Sequence, residues 1–543
     1  KIKSKITGKE ENVELAEYLT KEQADKIREI DASGFRLVET TRRYYPLGNF
    51  ASQLLGNVSS DGVGRVGIEL EYDEYLSGVA GRWIKNTDLY GNTLVDKNEE
   101  YYQAEDGYNV VLTIDEVLQH YAENAIEKGL KKTDAKRVFC LVMDPSTGDV
   151  LAMASNPGYD PNDPLEPADK SEREEYNDMS DEEQVAYLSK MWRNPLVSDT
   201  YEPGSTFKLI TTSAALEEGI ASPESEYSCN IGYTVPGTSE TLHCWSTVAH
   251  GTQSLKAAVG NSCNPVQMQL ALAMGKSTYY DYLNMFGITS LTDIDLPGES
   301  YAIIQDEDMI GPVELATMSY GQGIAVTPIQ LVSAVCAIAN DGVLMQPRVV
   351  KELTDSDGNT VKEINTRELK KVISSKTASE MKEIMEYVVA QGGGGNAQVL
   401  GYRIGGKTGT ADKAENGKYS SDTYSSFIGL APMDDPKFVI LVVVDSPQGV
   451  QFGSATAAPI AKDFLENALP YLGVSPEYTD SEASALSSSY VYVPDVTGKS
   501  YSDAIGILGK YGLEYQATPK STSKEDFEVV DQYPKAGEKI KKG

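Results

Sequence analysis

Histidine, tryptophan and cysteine are scarce in this 543-residue chain, with three, three and five copies. Five cysteines, odd in number and widely spread, do not make a disulfide framework and leave the redox compartment open. Positive charge is also in deficit, with 48 Lys and Arg against 81 Asp and Glu and a formal net charge of -33. Such a surface repels phosphate backbones and anionic headgroups, which argues against nucleic acid as a partner. No apolar run reaches the ~18 residues that a membrane-spanning helix needs. The chain opens on Lys1-Ile2-Lys3 without an initiator Met, and the expectation is a single N-terminal membrane anchor that is absent from this chain.

The length suggests about three domains. Residues 1–107 are polar and charged, with a helical stretch expected around Val13 to Ile30 and Tyr- and Gly-rich extended segments beyond it. A folded domain over 108–475 opens with the strand Val110 to Ile114, followed by a helix that Asp115 can cap. Apolar runs at Val138 to Asp144 and Asp149 to Ser155 flank the turn cluster Pro145-Ser146-Thr147-Gly148, which predicts a hairpin. Ser425 to Ala431 and Phe438 to Val444 flank Met433-Asp434-Asp435-Pro436 in the same way, ahead of a helix from Ala458 to Leu469. The two hairpins predict one antiparallel sheet, built from both ends of the domain and sandwiched by helices. Residues 476–489 read as a linker, Ser/Ala-rich from Ser481, and 490–543 as a small C-terminal domain. The fold class expected is therefore multidomain α+β.

Pro203-Gly204-Ser205-Thr206-Phe207-Lys208 sets a Ser and a Lys three residues apart, on one face of any helix that starts there. A neutral Lys208 amine can take the Ser205 proton, and the helix N-terminus favours the developing negative charge. Alone, Ser-x-x-Lys is a weak signal, since a capping Ser and a solvated Lys explain it as well. Two further pieces follow in order. Ser262-Cys263-Asn264 lies at a break between helical segments, where short polar side chains can project into a cleft. Lys407-Thr408-Gly409-Thr410 follows Gly405-Gly406 and suits an edge strand, where Lys407 and Thr408 can hold a carboxylate.

In this order the three motifs resemble those of the class B penicillin-binding proteins. Arg43-Tyr44-Tyr45-Pro46, Gly67-Ile68-Glu69 and Gly78 to Arg82 resemble that family's N-terminal pedestal, a domain of the dimerisation type. Tyr201-Glu202-Pro203-Gly204 and Tyr320-Gly321-Gln322-Gly323 resemble its catalytic domain. Val493-Pro494-Asp495-Val496 through Gln532-Tyr533-Pro534 resemble a PASTA repeat that stops one strand short. The single repeat and the Cys- and His-containing segment after Ser205 are most similar to the sporulation-specific type, with a division-type enzyme as the alternative.

The resemblance implies a serine D,D-transpeptidase on the extracytoplasmic face of the membrane, acting on peptidoglycan stem peptides and trapped by β-lactams, with a glycosyltransferase as partner. Ser205 would attack the bond between the terminal D-alanines with Lys208 as base, and an amine of a neighbouring strand would resolve the acyl-enzyme. Ser262 would relay the proton, Asn264 hold the substrate amide, and Lys407 with Thr408 bind the terminal carboxylate. The Ser205 and Thr410 amides, with Gly409 between Thr408 and Thr410, would form the oxyanion side of the cleft, where one lost donor costs ~3 kcal/mol. No cofactor is required for this chemistry. A β-lactamase, a D,D-carboxypeptidase, a penicillin sensor and a non-catalytic scaffold are the rival outcomes. Against the lactamase, Leu283-Asn284 has Tyr280 where class A enzymes carry a Glu.

Gly401 to Thr408 also fits the phosphate-loop pattern Gly-x-x-x-x-Gly-Lys-Thr, and Val442 to Asp445 mimics an apolar strand ending in a magnesium-binding Asp. The polar run after Thr408 opposes this, because a phosphate loop must lead into a helix. Rare residues cluster elsewhere: Cys229, His243, Cys244 and His250 suit a tetrahedral structural zinc. Adjacent His243 and Cys244 would point to opposite faces of a strand, which makes Cys229, Cys244 and His250 the firmer ligands. A Cys229 to Cys244 disulfide, plain packing and chance compete with zinc. Cys263, Cys140 and Cys336 read as packing residues, and the four glycines within Gln391 to Asn396 as a mobile loop near the active-site strand.

Overall fold

The structure is a computed structural model and describes residues 15–16, 18–30, 37–38, 41–84, 100–415, 418–482, 490–517 and 527–541. It divides into two compact units, one of residues 1–397 with 404–468 and one of 398–403 with 469–543.

The larger unit is organised by a five-stranded antiparallel sheet. Its strands are β1 (Arg137–Met143), β2 (Val150–Asn156), β3 (Gly405–Glu415), β4 (Lys418–Ala431) and β5 (Phe438–Asp445), in the spatial order β3-β4-β5-β1-β2. The N-terminal hairpin thus completes a sheet whose other three strands lie some 260 residues downstream, with Val442 opposite Cys140 and Val444 opposite Val138. Strand β5 is a run of β-branched and apolar residues and all eight of its side chains are buried, as a central strand covered on both faces requires.

One face is covered by α1 (Glu116–Thr133), which Asp115 caps by accepting from the Val117 and Leu118 amides. Helix α7 (Ala457–Tyr471) lies on the same face, where Phe464 meets Phe438 of β5 edge to face. The opposite face packs Leu141, Leu430, Leu441 and Val443 against helices of the segment between β2 and β3. These are α2 (Lys208–Glu217), α3 (Leu255–Gly260), α4 (Asn264–Met274), α5 (Pro328–Ala339) and α6 (Ser375–Gln391). All twelve residues of α5 are buried, the signature of a helix at the centre of a core.

In the pedestal, the two motifs Arg43 to Pro46 and Gly67 to Glu69 meet. The buried Glu69 carboxylate accepts from Arg43 at 2.6 Å and from the Tyr45 hydroxyl at 3.1 Å. Of the helix expected over 13–30, the described residues form Lys21–Glu29 behind a Thr20/Gln23 capping box, with Tyr18 at φ 52° before it; residues 13, 14 and 17 lie outside the described residues. In the smaller unit Tyr490–Tyr492 pairs antiparallel with Lys539–Lys541, and Ser500 caps the helix Tyr501–Lys510. Of the expected linker, 483–489 lie outside the described residues.

Candidate active site

Ser205 sits in a single turn of tight helix, Gly204–Thr206, that runs into α2. Gly204 makes the approach to the sheet: at φ +53° it favours a residue without Cβ, and a Cβ there would lie 2.8 Å from the Thr410 carbonyl of β3. On the other side Gly204 donates to the Gly321 carbonyl, so Tyr320 to Gly323 braces the serine turn. Ser205 itself is half-buried, while Lys208, one turn on, is fully buried.

The second wall comes from the break between α3 and α4. Ser262 there has φ +53°, an uncommon conformation for a residue with a side chain. Its hydroxyl donates to Ser205 Oγ at 2.8 Å. The Lys208 amine donates to Ser262 Oγ at 3.2 Å, to the Ser262 carbonyl at 2.7 Å and to Asn264 Oδ1 at 2.6 Å. The third wall is β3, the free edge of the sheet. From it the Lys407 amine donates to the same Ser262 Oγ at 3.0 Å and to the Thr408 carbonyl at 2.9 Å.

Burial governs the charges. It lowers the Lys208 amine to about 7, against the smaller opposing pull of Cys263 and Cys244. Burial and then the charge of Lys208 push Lys407 well below its ordinary value. Two amines sharing one hydroxyl in a dry site disfavour double charge, so one neutral amine is available near neutral pH. Lys407, expected with Thr408 to hold a carboxylate, is 1% exposed and donates to Ser262 Oγ. Gly409 packs on the Pro203 carbonyl, and Thr410 Oγ1 accepts from the Gly453 amide at 3.1 Å.

Lys407 and Thr408 lie inside an eleven-residue strand, and Asp445 is held by Arg137 and Lys413 at 3.0 and 2.7 Å. Among the described residues the phosphate-loop pattern runs on as strand to Glu415 and then into β4 rather than into a helix, which removes the nucleotide reading. In the glycine run beside the active-site strand, Gly392 and Gly394 donate to the Val388 carbonyl and Gly393 to that of Gly260.

The candidate metal centre abuts this site and corrects the expected ligands. Cys229, Cys244, His250 and Cys263 bring their ligand atoms within 4.8 Å of one another. His250 Nδ1 lies 3.6 Å from Cys229 Sγ and 3.7 Å from Cys244 Sγ. Cys229 and His250 are brought together by the antiparallel pair Glu226–Cys229 and Gly251–Ser254, in which Gly251 faces Cys229. His243 is not in the cluster; it ends the strand Thr241–His243 and is exposed. Its place is taken by Cys263, expected to be mere packing, which sits between Ser262 and Asn264. The overlooked signal was the crowding of three of five cysteines and two of three histidines between 229 and 263. All five cysteines are free thiols, so Cys229 and Cys244 form no disulfide. The Cys263 hydrogen bond favours the Cys244 thiolate and holds that thiol below its ordinary range. Cys140 and Cys336 are buried in the core.

Comparison with known proteins agrees with this geometry. Residues 138–466 match the "Penicillin binding protein transpeptidase domain", 1–112 the "Penicillin-binding Protein dimerisation domain" and 491–543 the "PASTA domain". The chain is 38% identical over 531 residues to "Stage V sporulation protein D" of Bacillus subtilis (strain 168), covering 97% of this chain and 78% of that protein. It is 30% identical over 467 residues to "Peptidoglycan D,D-transpeptidase FtsI" of Escherichia coli (strain K12), covering 85% and 73%. Among solved structures, penicillin-binding protein 3 of Mycobacterium tuberculosis complexed with ampicillin superposes with a TM-score of 0.69 at 29% identity, over 81% of this chain and 91% of that one. The chain belongs to the class B penicillin-binding proteins, serine-type D,D-transpeptidases, with an N-terminal dimerisation domain, a central α+β transpeptidase domain and a C-terminal PASTA domain.

Proposed function

We propose that this chain cross-links peptidoglycan stem peptides through an acyl-enzyme on Ser205, in the cortex or septal wall of a sporulating cell. The observation that carries the residue roles is the hydrogen-bonded set of Ser205, Ser262, Lys208 and Lys407, converging from three elements on one hydroxyl. Neutral Lys208 receives the Ser205 proton through Ser262 as Ser205 attacks the carbonyl between the terminal D-alanines. The same relay returns a proton to the departing D-alanine amine, leaving an ester on Ser205. The amides of Ser205 and Thr410 receive the oxyanion, Asn264 holds the substrate amide, and Thr408 with Gly409 seats the terminal carboxylate on the edge of β3. An acceptor amine then attacks the ester, forming the cross-link amide and restoring the Ser205 hydroxyl. β-Lactams acylate the same oxygen.

Three thiols and one imidazole suit zinc, and four protein ligands make a closed, structural site. Bound zinc would tie the strands Glu226–Cys229 and Thr241–His243 to the Ser262–Asn264 turn. The sporulation role rests on the likeness to the stage V protein. We place the chain on the extracytoplasmic face of the membrane, with an N-terminal anchor outside these residues and a glycosyltransferase of the elongation, division or sporulation family as partner. Among the described residues no helix is long and apolar enough to cross a membrane.

The test is intact mass after incubation with a labelled penicillin, on wild type and Ser205→Ala together. One long-lived adduct, lost in the variant, is expected. Wild type without an adduct while the antibiotic stays intact would remove Ser205 from the mechanism and leave a scaffold. Metal analysis of protein purified without added zinc is expected to give about one ion per chain, and a content far below that refutes the zinc site.

A further inference from the structure

Two of the exposed large apolar residues stand at the cleft. Trp245 and Phe452 are each 58% exposed, on loops that also expose Val248 and Val450. Trp245 is fixed to the Ser262 wall: its indole N–H donates to the Asn261 carbonyl at 3.0 Å, one residue before Ser262. Its main chain follows Cys244 of the metal cluster. Phe452 is fixed to the β3 wall. The next residue, Gly453, packs so closely that a Cβ would lie 2.3 Å from the Gly409 carbonyl, and its amide bonds Thr410. Across the gap the two rings meet edge to face, with centroids 6.5 Å apart and planes at 63°. The pair thus joins the two walls between which Ser205 sits.

The fate of an ester on Ser205 depends on which nucleophile reaches its carbonyl. An amine forms an amide and gives a cross-link; water forms a carboxylate and ends as a carboxypeptidase turnover. Both restore the serine hydroxyl, and water is present in vast excess, so a cross-linking enzyme needs an apolar barrier against it. Exposed aromatic surface is unfavourable in water, and an apolar patch beside a reactive group marks a contact surface.

We infer that Trp245 and Phe452 form an aromatic roof over the Ser205 ester, which sheds water and receives the aliphatic part of the acceptor stem, so that aminolysis outruns hydrolysis. This rests on the acyl-enzyme reading above. The roof must part to admit the donor and close again over the ester; a single edge-to-face contact between two half-exposed rings is weak enough to open at each turnover.

The experiment supplies an N-acyl-D-alanyl thioester as donor and D-alanine as acceptor amine, and measures the ratio of amide to carboxylate product by mass spectrometry. That ratio is independent of how fast the ester forms. Trp245→Ala and Phe452→Ala are each expected to lower it about tenfold. Trp245→Phe, which restores a ring but not the N–H, should recover most of it and so separates the roof from a positioning role of the Asn261 hydrogen bond. An unchanged ratio in both alanine variants overturns the roof while leaving the acyl-enzyme intact. Thiol release by Ser205→Ala equal to wild type overturns the acyl-enzyme reading itself, and the roof with it. Should either alanine variant melt well below wild type, Leu at the same position decides, because it keeps the volume and lacks the aromatic face.

Discussion

Lys208 is fully buried, and burial lowers its amine to about 7. At pH 6 about a tenth of such amines are neutral and at pH 8 about nine tenths, whereas a solvated lysine at 10.5 would stay almost wholly charged at both. If neutral Lys208 takes the Ser205 proton, the second-order rate of acylation by a fluorescent penicillin should rise roughly tenfold from pH 6 to 8 and then level off. Direction matters here: burial depresses this pKa, so the reactive form gains with rising pH, with its midpoint near the depressed value. Lys208→Arg places a group with a pKa above about 12 at the same position and should abolish the rise along with most of the rate. The assay is stopped at short times across the pH series, with metal content measured at each point because thiolate ligands protonate in acid. A rate flat from pH 6 to 8 in fully metallated protein, or a Lys208→Arg variant within threefold of wild type, would refute Lys208 as the base.

Gly204→Ala adds a Cβ 2.8 Å from the Thr410 carbonyl at φ +53°. It should cost about 1 to 3 kcal/mol in denaturant melts and slow adduct formation, and a wild-type melt would show that the serine turn can shift. His250→Ala should lower bound zinc well below one per chain, whereas His243→Ala should leave it unchanged; equal loss in both would restore His243 as a ligand. Asp445, 2% exposed at its side chain, pairs with Lys413 and Arg137. Burial opposes its ionisation, but the Lys413 hydrogen bond and the two charges prevail and hold it below 3.8. Its contribution is therefore complete above pH 3.8 and is lost as pH falls through the lower, folded value. Asp445→Asn should cost about 2 to 4 kcal/mol at pH 7, measured by urea unfolding, with a difference under about 0.5 kcal/mol counting against the network.

What the sequence determined by itself was local. The spacing of Ser205 and Lys208 places both on one turn, and the β-branched run Phe438 to Val444 can only be a covered strand. The turn clusters at Pro145 to Gly148 and Met433 to Pro436 close the two hairpins. In each, neighbours a few residues apart carry the physical constraint. Tertiary structure decided what depends on distance: Lys208, Ser262 and Lys407, 54 and 145 residues apart in pairs, meet only because β3 is the sheet edge facing the α3–α4 break. It also decided that Lys407 is buried, since a lone Lys in a glycine-rich stretch carries no sign of the walls that will enclose it. The fourth place in the Cys and His cluster went the same way. Residue spacing proposed His243, but its strand turns that side chain to solvent, and the turn that strains Ser262 delivers Cys263 instead.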